Sequence, residues 1–155
     1  MALALALSAR DCDGVEAALS PAPLNDPEYI KLLIDLLPLE WHKSHENIVS
    51  HLQALKPAAA VSVLSSVAVT KYPYLEYDNS LALARKCTWA LADIGTDDAK
   101  EALVRISRCG EVEIEVYAVK RLKNWKKELA RKGWKTECLL ARLVKLFGNG
   151  KTYIE

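Results

Sequence analysis

The chain has 155 residues, 51% of them hydrophobic, with only six Gly and six Pro. That length suits one domain with a substantial core, and the composition excludes a disordered or low-complexity polymer. A net charge of +1 excludes a strong overall field toward nucleic acid or a membrane surface.

Residues Ala2 to Leu19 form an Ala/Leu-rich stretch that predicts one helix, with Gly14 as its weak point. The opening MALALALSAR lacks the basic region of a signal peptide and its apolar run is short. No stretch approaches the ~20 apolar residues that span a bilayer. Cys12, Cys87, Cys109 and Cys138 are widely spaced without a CxxC pair. These features predict a soluble, cytoplasmic protein with reduced thiols. SPAPLNDP is a loop ending in Asp26 as N-cap and Pro27 at the first helical position. Tyr29, Ile30, Leu33, Ile34 and Leu37 then make an apolar helix face that Pro38 stops. After the connection LEWHKS, Ser44 is placed to cap a helix running to about Leu55, with Ile48, Leu52 and Leu55 inward. Lys56-Pro57 turns the chain into a helix buried through Ala60, Val61, Val63, Leu64, Val67 and Ala68. Several of those residues are β-branched and favour strand locally, but helices on both sides argue for helix. KYPYLEYD follows as a tyrosine-rich insertion.

The clearest unit spans 79–108. Leu83, Ala84, Cys87, Leu91 and Ile94 recur at helical spacing, and Gly95 sits where a left-handed residue closes a helix. Thr96 offers a cap, Asp97 and Asp98 supply negative charge, and Ala99, Ala102, Leu103 and Ile106 form a second stripe. Glu111 to about Lys132 predicts one long helix on the spacing of Val112, Val116, Val119, Leu122 and Leu129. Thr136 is placed to cap a last helix through Phe147, and 148–155 reads as a loose tail. The whole chain, 1–155, reads as a single all-α domain of about seven or eight helices.

Three segments repeat. Leu52 aligns with Leu91 and Pro57 with Thr96 at an offset of 39 residues, and Leu91 aligns with Leu122 and Cys87 with Ala118 at 31. Such periods suit stacked helix pairs, here 44–69, 79–108 and 111–132. Arg85, Ala90, Leu91, Ile94, Gly95, Asp97 and Ala99 carry a pattern that resembles the HEAT-repeat family, in its short bacterial form related to the phycobilisome-lyase type. The likeness runs from about Asp26 to Leu129. It departs at Val67-Ala68-Val69, which lacks a polar ending, and at Trp125, which stands where a closing Gly is expected. The resemblance implies an α-solenoid, a right-handed superhelix of antiparallel helix pairs that presents a surface. It implies no catalytic residues, because the repeat signature is a packing signature.

His42, His45 and His51 with Glu46 do not make HExxH, since the second His would have to fall at Val49. No serine elbow, phosphate loop or carboxylate pair with a neighbouring base occurs. No metal site, cofactor, small-molecule substrate or catalysis is therefore expected. The charge is unevenly spread: residues 1–80 carry five Lys/Arg against ten Asp/Glu, and residues 81–155 sixteen against ten. The segment 120–135 interleaves Lys120, Arg121, Lys123, Lys126, Lys127, Arg131, Lys132 and Lys135 with Trp125 and Trp134. Basic side chains among aromatics suit phosphate contact with stacking, or an acidic protein. Tyr72, Tyr74, Glu76, Tyr77 and Asp78 in the insertion, with Trp41, His42 and His45 one helix pair earlier, would line one edge of a solenoid. Tyrosine and tryptophan suit hot spots, although Tyr72 and Leu75 also suit anchors against the core. The expected function is a non-catalytic protein-binding scaffold contacting its partner through Trp41, His42, His45, Tyr74, Glu76, Tyr77, Asp78, Lys123, Lys126 and Lys127. The alternatives are a bacterial immunity protein that neutralises a toxin, and nucleic-acid binding through 120–135.

Overall fold

The structure, a computed structural model, describes residues 2–19 and 26–130. The expected last helix from Thr136, the tail 148–155, and Arg131, Lys132, Trp134 and Lys135 lie outside the described residues. Within them the fold is all-helical and contains no strand. Eight α-helices occur: α1 Ala2–Ala9, α2 Cys12–Ala18, α3 Pro27–Leu36, α4 His45–Leu55, α5 Val61–Val67, α6 Leu81–Ile94, α7 Asp97–Ile106 and α8 Val112–Lys123. Two 3-10 helices, Ala58–Ala60 and Pro73–Asp78, flank α5, and residues 125–130 are again helical.

The core is organised around α6, which packs against α4, α5, α7 and α8. A helix with four neighbours needs more than one apolar stripe, and α6 buries Leu83, Ala84, Cys87, Thr88, Ala90, Leu91 and Ala92. Many of these are small, which lets the neighbours approach closely. Gly95 closes α6 in the left-handed conformation (φ 71°), its N–H donating to the Leu91 carbonyl at 3.1 Å. Thr96 then caps α7, its side-chain oxygen accepting from the Ala99 N–H at 3.2 Å. Thr96→Ala should therefore cost about 1 kcal/mol, read as a lower urea midpoint with an unchanged slope. Asp26 likewise caps α3, accepting from the N–H groups of Glu28 and Tyr29, with Pro27 in the first turn.

The expected helix 2–19 is broken in two. Arg10 adopts φ 51°, and the Arg10 and Asp11 N–H groups donate to the Leu7 and Ala6 carbonyls. This is a Schellman ending formed without glycine, so the usual sequence signal is missing. Asp11 then caps α2 by accepting from the Gly14 N–H. A Cβ at Gly14 would lie 2.4 Å from the Asp11 carboxylate oxygen, so the position expected to weaken a helix makes room for its cap.

Ser44 precedes α4 as expected, but its side chain makes no capping bond. Its backbone N–H donates instead to His42 Nδ1 at 3.2 Å. The expected long helix 111–132 is interrupted at Asn124, whose amide donates to the Lys120 carbonyl at 2.8 Å. The buried face of α8 also differs from the one that the valine spacing predicts. Val112 and Val116 are 69% and 56% exposed. The buried residues are Ile114, Ala118 and Arg121, continued by Trp125 and Glu128, which keeps helical spacing but includes two charged residues.

Candidate functional site

The tyrosine insertion and the 41–45 connection do come together, but mostly as core. His42 and His45 are fully buried and stacked with ring centroids 4.2 Å apart. His45 also lies against Tyr72 at 3.9 Å, and half-buried Trp41 meets His42 edge-on at 5.3 Å. His42 Nε2 donates to the Leu36 carbonyl (2.9 Å) and Nδ1 accepts from the Ser44 N–H, which defines a neutral ring. The Tyr74 hydroxyl meets His45 Nδ1 at 2.7 Å, while His45 Nε2 is buried without a hydrogen-bond partner among the described residues. Burial lowers the pKa of both rings. It pushes His45 down to about 3, with His42 beside it acting in the same direction and the Leu39 carbonyl against it. Burial also pushes the hydroxyls of Tyr72 and Tyr74 up to about 12.

His42 and His45, expected at a partner surface, therefore hold the 73–78 turn onto the body of the fold. Tyr72 and Leu75 are its buried anchors. Asp78 is also internal: its Oδ2 accepts from the Ala82 N–H at 2.9 Å and supplies the cap for α6. Ser80 precedes α6 in a left-handed conformation and accepts from the Tyr72 N–H instead. Of the edge, Glu76 and Tyr77 remain for a partner, Tyr77 being 77% exposed. Lys123, Lys126 and Lys127 are exposed as expected.

The more concentrated surface was not expected from sequence. A groove of about 510 Å³ lies between α4, α6 and α8. Gln53 comes from α4, Arg85, Lys86, Thr88 and Trp89 from α6, and Tyr117, Lys120 and Arg121 from α8. Spacings of three and four residues put each helix's contributors on one face. The lining carries four cations, two aromatic rings and no carboxylate. Glu46 pairs with Lys86 at 2.9 Å and Glu128 with Arg121 at 3.1 Å. Arg85 and Lys120 have no acidic partner within 4.0 Å among the described residues. Trp89 is 37% exposed and receives the Arg121 guanidinium over its ring at 3.9 Å. Arg121, one of the basic residues of 120–135 expected to face phosphate or an acidic protein, is instead a buried residue on the groove wall.

No family model, curated protein or solved structure matches this chain. No described group of three or more His, Cys, Asp or Glu side chains is arranged to hold a metal ion. Among the described residues no helix is long and apolar enough to cross a membrane.

Proposed function

We propose that the chain is a non-catalytic, HEAT-like helix-repeat protein that binds an acidic protein partner through a charged and aromatic face. The observation that carries this reading is the α4–α6–α8 groove, where cations and aromatics converge and no carboxylate lines the wall. Aromatic and arginine side chains are the residues that dominate protein interfaces, while exposed lysines steer an acidic partner. The stacking of α6 on α4 and α8, and of α7 on α5, is what supports a repeat, although α4 and α5, the pair expected at 44–69, barely touch. In this reading the groove is a surface presented by consecutive pairs.

The test reverses the two unpaired cations at once. Arg85→Glu with Lys120→Glu should lose an acidic protein that the unaltered chain captures, while Tyr77→Ala weakens capture if the 76–77 edge extends the same interface. Both positions are exposed, so helix content should not change. Retention of every captured partner by the double variant would overturn the reading. A shift of mixed-sequence oligonucleotides at micromolar protein and low salt would replace it with nucleic-acid binding, and none is expected.

A further inference from the structure

We infer that Arg121 is the specificity-determining anchor of the groove, a preset seat for a carboxylate on an acidic peptide segment of the partner. This rests on the acidic-partner reading above and adds the residue and the chemistry to it.

Arginine is an unusual residue to bury, and Arg121 is 5% exposed on the inward face of α8. Two contacts hold it there. Its guanidinium lies over Trp89, 3.9 Å from the ring centroid, and Nη1 donates to Glu128 Oε1 at 3.1 Å. A guanidinium has five N–H donors in a planar fork. The Glu128 bond uses one, and Nε and Nη2 have no acceptor among the described residues. Neither is a fully enclosed, unsatisfied atom, and Arg121 lines the groove. The free donors therefore reach the space that a ligand would enter. Because the side chain is already stacked and tethered, an incoming anion does not have to order it. Its low exposure also strengthens a charge-assisted bond relative to one made by exposed Arg85 or Lys120.

Charge complementarity selects the occupant. Nη1 already donates to one carboxylate oxygen, that of Glu128, and a planar singly charged group suits the geometry of the remaining donors. Glu128 and Glu46 stand beside two of the lining cations. Their negative charge penalises a phosphate dianion more than a carboxylate. Trp89 and Tyr117 offer apolar surface along the groove, which a peptide can use and a bare ion cannot. Arg85 and Lys120, exposed and without acidic partners, act at longer range on the same segment.

The experiment titrates the full chain, at low salt, with a fluorescent glutamate-rich peptide and with a phosphoserine peptide of equal length. The unaltered chain should bind the glutamate peptide more tightly. Arg121→Lys keeps the charge but loses the fork and the stacking, and should weaken binding about tenfold or more. Glu128→Gln removes the internal carboxylate that competes for Arg121 and should tighten binding. Lys120→Ser should act mainly on the association rate and its salt dependence. If folded Arg121→Lys binds as well as the unaltered chain, the anchor is overturned while the acidic-partner reading stands. If Arg121→Lys does not fold, Glu128→Gln decides, and unchanged or weaker binding overturns the anchor. Tighter binding of the phosphoserine peptide overturns the carboxylate assignment. No binding of either peptide by the unaltered chain removes the acidic-partner reading itself.

Discussion

Acidification from pH 6.5 toward pH 4 is expected to destabilise this protein steeply, through His42 and His45. Both rings are fully buried, and both have pKa values lowered by that burial, His45 to about 3. In the unfolded chain each returns to an ordinary value of about 6.5. Below that value the unfolded state binds protons that the folded state refuses, so stability falls as pH falls. His45 contributes a slope of at most about 1.4 kcal/mol per pH unit, and His42 and His51, both also lowered by burial, act in the same direction. For His45 that contribution is fully present above about pH 6.5 and is exhausted only near pH 3. The physical origin is local: the His45 ring is enclosed among Tyr72, Tyr74 and His42, so a proton on it would be desolvated and would sit beside a second imidazole. Urea midpoints measured between pH 7.5 and pH 4 should fall progressively. A His45→Gln variant should be less stable at neutral pH but show a shallower pH dependence. Midpoints that stay level between pH 7 and pH 5 would contradict the buried neutral pair.

Leu91→Ala should cost ~2–5 kcal/mol through lost burial plus the cavity left behind. Leu91 is fully buried on α6, the helix that packs against α4, α5, α7 and α8, so neighbours on several sides resist collapse into the gap. Leu5→Ala provides the control, because Leu5 is 73% exposed and should change stability by no more than ~0.5 kcal/mol. Chemical denaturation of both variants at pH 7.5 separates this effect from the histidine contribution. A Leu91→Ala loss below ~1 kcal/mol would mean that α6 is not the centre of the core.

The parts of the fold legible in the sequence are those governed by short-range chemistry. Asp26-Pro27 at the start of α3, and Gly95-Thr96 between α6 and α7, act through backbone groups within a few residues of themselves. The buried stripes of α5, α6 and α7 follow from apolar spacing because those helices bury little but apolar residues. The break at Arg10 was illegible because a left-handed ending normally announces itself as Gly or Asn. The face of α8 was illegible for a different reason. Val112 and Val116 have the right spacing for a core, yet Arg121 takes the inward position because Trp89, remote in sequence on α6, and Glu128, seven residues further along, compensate its charge.

The candidate site divides in the same way. Residue types alone showed that tyrosines, tryptophans and basic side chains were available, and that familiar catalytic motifs were missing. Which of them face a partner depends on packing between segments remote in sequence. His45 is removed from the surface by Tyr72 and Tyr74, residues that belong to an insertion after α5. Arg85 and Lys120 meet across the groove only because α6 and α8 pack together. Local composition determines helices, caps and the stock of charges. Burial and charge compensation depend on distances between separate helices, which no spacing within one helix encodes, and those distances set which charges are structural and which remain to bind.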